Sequence, residues 1–267
     1  MEQISPIVKC IVCGLKQGGT SFLSSIVSAH SSLATRFECG VLQAKGPSDI
    51  LSIRSKVQDN IIRSWKVPHE TLVRMADQAS FLDAYRVLRA EAPGVSETAL
   101  LIDKFPDYSL IMDQLLARYD VPILFISRDP RAIIWSRHQR YFWQAGLRDQ
   151  VSPCNSLSDV KINMDGVLTE ITHCLRKALQ AHARYPDRVL ILTLEDLITD
   201  TETQRRKIFD FLGLEVPSEL MGDTRIQPDK VRREVDRSAL DQYAKHMSDE
   251  VQMYILERFS QKLRTID

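Results

Sequence analysis

The sequence has no excess charge of either sign, few cysteines and no long hydrophobic run. Lys plus Arg and Asp plus Glu number 35 each, so no overall positive field favours a polyanion, and no nucleic-acid partner is expected. Charge interrupts every apolar run before the roughly 18 residues that a membrane helix requires, so no membrane insertion is expected. The first residues lack the basic start and cleavage site of a signal peptide. These features predict a cytoplasmic protein.

The five cysteines are an odd number scattered along the chain, which does not fit a disulfide framework. Cys10 and Cys13 form a C-x-x-C motif, but it lies inside an apolar run without a second ligand pair at zinc spacing. We interpret both as buried strand side chains and expect no metal to be required.

Apolar, β-branched runs alternate with helical patterns along the chain. The pattern predicts strands at 7–13, 99–103, 122–127 and 188–195, and helices at 107–119, from Asp129-Pro130 onward, at 162–184 and up to Gly213. Such alternation predicts an α/β fold, a three-layer sandwich with a central parallel sheet flanked by helices. We expect a single domain over 1–267, with a helical insertion at about 43–98 and a C-terminal tail from about 216.

Between the first strand and its helix lies G-x-x-x-x-G-T-S, Gly14 to Ser21. Backbone N–H groups of such a loop and of the following helix form a nest for phosphate. The motif resembles a Walker A loop and makes the fold P-loop NTPase-like, but Thr20 stands where the Walker lysine belongs. The missing lysine argues against a kinase or triphosphate hydrolase, since that lysine neutralises the β- and γ-phosphates. A glycine-rich turn that binds nothing is the other interpretation.

The second informative segment is ILFISRDPRAIIWSRH. Arg128 ends a strand, Asp129-Pro130 starts a helix, and Ser136 lies about two turns along it. This geometry can bring Arg128 and Ser136 to one phosphate. The alternative is an ordinary capped helix.

Taken together, five segments resemble, in this order, the sulfotransferases that use 3′-phosphoadenosine-5′-phosphosulfate (PAPS). They are GLKQGGTSFLSSIVSAH, IDKFP, the Arg128 segment, LILTLEDLI and IFDFLGL. The similarity covers roughly residues 7–40 and 99–215. It implies that PAPS is the cosubstrate and that Arg128 and Ser136 bind its 3′-phosphate. It also implies a 5′-phosphosulfate site made of Lys16, Gln17, Gly18, Gly19, Thr20 and Ser21.

The resemblance leaves the catalytic groups open. The loop lysine, Lys16, stands one position earlier than in the family, so either Lys16 or Lys104 of the DKFP segment can take its role. Glu38, just after the first helix, is the first choice for the general base, with an ordinary ion-paired surface glutamate as the alternative. Asp103 is a second candidate base.

The tail contains a basic run with Arg232 and Arg233, which the resemblance places over the cofactor and which is otherwise a solvated face. The acceptor is expected to be a small molecule, carbohydrate or peptide with a hydroxyl or amine. The runners-up are a P-loop kinase or nucleotide-hydrolysing enzyme and a non-catalytic nucleotide-binding member of the same fold. The sequence leaves open whether the protein forms a homodimer.

Overall fold

A computed structural model describes residues 1–217 and 240–265. The described residues contain five strands, Val8–Gly14 (β1), Leu33–Ala34 (β2), Leu100–Lys104 (β3), Ile123–Ser127 (β4) and Val189–Thr193 (β5). They pair in the order β2-β3-β1-β4-β5, and each pair is parallel. β1, β3 and β4 are mostly apolar and almost completely buried, as strands covered on both faces should be; Asp103 and Lys104 at the end of β3 are the buried charged exceptions.

Helices cover both faces of the sheet. They are Thr20–Ser28 (α1), Ser55–Trp65 (α2), His69–Ala76 (α3), Phe81–Glu91 (α4), Met112–Arg118 (α5), Pro130–Gln144 (α6), Met164–Arg184 (α7), Leu194–Thr199 (α8), Thr201–Phe211 (α9), Gln242–His246 (α10) and Asp249–Arg264 (α11). Side chains of α1, α8 and α9 form one apolar cluster with the sheet. Those of α2 to α7 and α11 form a second. The fold is therefore the predicted three-layer α/β sandwich.

The strand order places the site. β3, β1 and β4 lie side by side, with Val12 opposite Lys104 and Gly14 opposite Ile126. Their carboxyl ends therefore meet at one edge, which is where ligands bind in open α/β sheets. Cys10 and Cys13 are fully buried in β1, as predicted.

Two boundaries differ from prediction. The strand predicted at 188–195 ends at Thr193, because its hydroxyl accepts from the Asp196 N–H and caps α8. The helix predicted at 107–119 begins as a 3₁₀ turn, Pro106–Leu110, and becomes α-helical only at Met112.

The segment between β2 and β3 contains α2, α3 and α4. A buried carboxylate joins this segment to the sheet. Asp103 accepts hydrogen bonds from the Tyr85 hydroxyl of α4, from the Tyr108 hydroxyl at 2.8 Å and from the Gly40 N–H at 3.3 Å. Burial raises its pKa, which these donors partly oppose. Asp103 is 1% exposed, so it is placed to support the fold and not to meet an acceptor as a base.

Candidate active site

A glycine-rich loop joins β1 to α1 at the carboxyl edge of the sheet. A Cβ on Gly14 would lie 2.2 Å from the Ile126 carbonyl oxygen, and one on Gly19 would lie 2.8 Å from Leu194. Gly19 is the N-cap of α1 with φ 103°, a conformation that glycine adopts without strain. Gln17 also has a positive φ, 62°. The loop thus passes close to β4. The N–H groups at the start of α1 face the loop.

The loop residues differ in accessibility. Gly18 and Thr20 are buried, whereas Ser21 is exposed at the start of α1. The Gly18 N–H donates to the Leu15 carbonyl at 2.8 Å, closing a tight turn. The Oε1 atom of Gln17 is buried and has no hydrogen-bond partner among the described residues. A buried acceptor of this kind costs free energy until a donor reaches it.

Lys104, the last residue of β3, supplies a buried ammonium group to this loop. Its side chain is 1% exposed. Its Nζ lies 3.4 Å from the Ser21 Oγ, 3.6 Å from the Glu38 Oε1 and 4.2 Å from the centroid of the Phe37 ring. Burial lowers the pKa of Lys104 to about 8, and Glu38 opposes the shift. A neighbouring strand therefore places an ammonium group beside the loop, which lacks the Walker lysine.

Glu38 is fixed from two sides. Asn60 of α2 donates to its Oε2 at 2.8 Å, and the Trp65 indole N–H donates to its backbone carbonyl at 3.2 Å. Its carboxylate pairs with Lys104. Phe37, 60% exposed, covers the ammonium from the solvent side. Glu38, Lys104 and the start of α1 therefore form one cluster.

Lys16 is directed away from this cluster. Its Nζ lies 2.8 Å from the Asp107 Oδ1, and its side chain is 51% exposed. Arg54 donates to the other carboxylate oxygen of Asp107 at 3.0 Å. These two cations lower the pKa of Asp107, although burial opposes them. The structure thus brings Lys104, and not Lys16, to the Ser21 hydroxyl.

Arg128 contacts the loop from β4. Its guanidinium donates to the Gln17 carbonyl at 3.2 Å. Burial lowers its pKa, and Glu195 and Asp129 oppose this. Glu195 also accepts from the Asp129 N–H at 3.0 Å. Ser136 is partly exposed on α6, the helix that begins two residues after Arg128.

The described part of the tail packs on α6. Tyr243 lies over the Arg131 guanidinium at 4.6 Å, and the His246 ring stacks on Trp135 at 4.8 Å. Arg232 and Arg233 lie outside the described residues.

Three residues of the site escaped the sequence analysis, Phe37, Asn60 and Asp107. Asn60 and Asp107 are ordinary polar residues in helical segments, without a motif to mark them. Phe37 directly precedes Glu38, and this adjacency was the one available signal.

In the described ranges, no helix has the length and apolar character needed to cross a membrane. The same ranges hold no group of three or more His, Cys, Asp or Glu side chains arranged to bind a metal ion.

Comparison with known proteins decides the family. The model of a family described as "Sulfotransferase family" matches residues 10–218, a range that contains the glycine loop, Glu38, Lys104 and Arg128. The chain belongs to the sulfotransferase family. No curated protein matches this family member significantly.

Solved structures share the fold of this sulfotransferase family member. The sulfotransferase domain from the Synechococcus PCC 7002 olefin synthase has 18% identity and a TM-score of 0.66, covering 100% of this chain and 98% of that one. The sulfotransferase domain from the curacin biosynthetic pathway has 17% identity and a TM-score of 0.62, with coverage of 96% and 98%. Mouse sulfotransferase SULT7A1, solved with PAP (adenosine-3′,5′-bisphosphate), has 11% identity and a TM-score of 0.52, with coverage of 99% and 89%.

Proposed function

We propose that this sulfotransferase family member transfers a sulfuryl group from PAPS to a hydroxyl or amine of a small-molecule, carbohydrate or peptide acceptor. The observation that carries this proposal is the buried Lys104 ammonium group, 3.4 Å from the Ser21 hydroxyl at the start of α1 and 3.6 Å from the Glu38 carboxylate. It provides a cation for the donor and a base for the acceptor at the same edge of the sheet.

The donor is bound by the loop and by the start of α6 in this proposal. N–H groups from Gly18 to Ser21 and the positive end of the α1 dipole bind the 5′-phosphosulfate. Arg128 and Ser136 bind the 3′-phosphate, which distinguishes the donor from ATP. A relative of the same fold, mouse SULT7A1, was solved with PAP, and this supports the choice of donor.

The reaction is an in-line displacement at sulfur. The acceptor oxygen or nitrogen forms a bond to sulfur while the bond from sulfur to the bridging phosphate oxygen breaks, and PAP leaves with that oxygen. Glu38 accepts the acceptor proton. Protonated Lys104 stabilises the charge that develops on the leaving phosphate.

Three expectations from the sequence complete the proposal. Lys16 is kept as the second candidate for the lysine of the donor site, and Arg232 and Arg233 as residues that cover the nucleotide. The cytoplasm is kept as the location.

Ligand binding tests the donor assignment. Binding of PAP, ATP with Mg²⁺, and 5′-AMP is compared by thermal shift and calorimetry on the wild type and on Arg128→Ala. The control variant is Arg140→Ala, which replaces an exposed residue of α6. A ligand at about 100 times its Kd stabilises a fold by about 2.7 kcal/mol. We expect this from PAP alone, with loss in Arg128→Ala and retention in Arg140→Ala.

Transfer from radiolabelled PAPS to an acceptor panel then tests the activity. Preference for ATP with Mg²⁺ would overturn the donor assignment in favour of a kinase or nucleotide-hydrolysing enzyme. Binding of PAP without transfer to any acceptor would identify a non-catalytic member of the family.

A further inference from the structure

A cavity of about 450 Å³ opens beside the glycine loop, within the range of about 300–1,000 Å³ that small-molecule sites occupy. It lies between residues 42–45 and the face of the segment 107–118. Its lining includes Lys16, which belongs to the glycine loop, and Asp107, three residues after Lys104 in the chain. We call this cavity the basic groove.

The groove carries an excess of positive charge. Its described lining contains four cations, Lys16, Lys45, Arg54 and Arg118, against one carboxylate, that of Asp107. Asp107 already accepts from Lys16 at 2.8 Å and from Arg54 at 3.0 Å. The guanidinium of Arg118 donates to the Lys45 carbonyl. A formal excess of three positive charges remains on a chain whose net charge is zero, so the field is local to this groove.

The carboxylate of Glu170, on α7, is already paired. It interacts with Lys16 through charge, but two hydrogen bonds of 2.8 Å join it to Arg137, and that pair is neutral as a whole. Among the residues that line the groove, an entering anion therefore meets four cations and one carboxylate.

Apolar side chains form part of the remaining wall, beside Gln43 and Gln114. Leu42, Leu110 and Leu115 line the cavity, and Leu110, 39% exposed, presents the most apolar surface of the three. Apolar surface of this kind favours contact with an aliphatic or aromatic body. Cations on an apolar wall match a molecule that carries an anionic group on an apolar chain.

We propose that the basic groove binds the anionic end of the acceptor, and that the acceptor is an elongated amphiphilic organic anion with its hydroxyl or amine at the other end. The identification of the bound molecule as the acceptor rests on the proposed function, whereas the anion site itself does not. Lys16, a residue of the glycine loop, lines the same groove, so a molecule held there lies beside the donor loop and can extend its uncharged end toward the donor.

A matched pair of probes tests the proposal. 8-Hydroxyoctanoate and 1,8-octanediol share the chain and the terminal hydroxyl and differ in the carboxylate. Binding is measured by calorimetry with and without PAP at two salt concentrations. We expect the carboxylate probe to bind about tenfold more tightly than the diol, by charge-assisted hydrogen bonds, and to weaken at high salt. Inorganic phosphate, lacking the chain, is expected to bind at least about tenfold more weakly than the carboxylate probe.

Two double variants provide the control. Lys45→Gln with Arg54→Gln removes two groove cations, whereas Lys56→Gln with Arg63→Gln removes two exposed cations of α2 that do not line the groove. We expect about tenfold loss of carboxylate binding in the first and less than about twofold in the second.

Equal affinity of diol and carboxylate, equal loss in both double variants, or phosphate binding as tightly as the carboxylate would overturn the amphiphile site. Failure of PAP to bind, with carboxylate binding intact and dependent on Lys45 and Arg54, would overturn the proposed function and leave the anion site supported.

Discussion

The affinity for PAP should fall as the pH rises through about 8, because burial lowers the pKa of Lys104 to about that value. A bound phosphate favours the charged ammonium, so binding raises this pKa and takes up a proton. The affinity therefore falls with rising pH, since deprotonation above about pH 8 removes the cation that binds the phosphate. Above that pH the dissociation constant should rise about tenfold per pH unit.

The magnitude can be worked out from these pKa values. With a Lys104 pKa of about 8 in the free protein, and taking the ordinary lysine value of about 10.4 for the complex, Kd increases about twentyfold from about pH 7.5 to about pH 9.5. This corresponds to about 1.8 kcal/mol. Both phosphates of PAP are already fully ionised over that range, so their titration adds little. At pH 8 about half a proton is taken up per PAP bound.

The assay is calorimetry of PAP binding in two buffers with different ionisation enthalpies, which gives the proton uptake directly. Lys104→Met should abolish the uptake and weaken binding at about pH 7.5. Lys16→Met is the matched lysine control and should retain the uptake, because Lys104 is still present. A pH-independent Kd in the wild type would refute the reasoning. Uptake that disappears in Lys16→Met and survives in Lys104→Met would assign the role to Lys16.

Three further changes test separate contacts. Glu38→Gln should lower kcat for sulfuryl transfer about 100-fold with little change in PAP affinity; an unchanged kcat would exclude Glu38 as the base. Gly14→Ala should destabilise the fold by about 2 kcal/mol or more in urea unfolding, because its Cβ would lie 2.2 Å from a β4 carbonyl oxygen; unchanged stability would contradict the close approach. Tyr85→Phe should cost about 1–3 kcal/mol by removing a donor to buried Asp103, whereas Tyr141→Phe, 48% exposed, should cost almost nothing; equal effects would contradict the buried network.

The elements that hold the donor loop could be predicted because their signals are local. An apolar β-branched run followed by a glycine motif and a helical pattern specifies strand, loop and helix within about 30 residues, and the structure has β1, the loop and α1 there. Asp129-Pro130 marked the start of α6 for the same reason. The two-residue strand β2 was missed, since so short a segment carries no periodicity.

Local signals did not decide which of the two lysines contacts the donor loop, and they did not identify the residue that pairs with Glu38. Lys16 is four residues before Thr20 in sequence, yet Asp107 draws its ammonium group away, whereas Lys104 is 83 residues from Ser21 and contacts it. That contact exists because β3 pairs with β1 in a parallel register that sets Lys104 opposite Val12.

The sequence by itself determined the α/β class, the phosphate loop and the resemblance to sulfotransferases, because each depends on residues within one segment. Only the tertiary structure placed Lys104, Glu38 and Ser21 together and formed the basic groove. Strand pairing and the packing of α2 to α4 bring together side chains that lie far apart in the chain, and burial then lowers the pKa of Lys104.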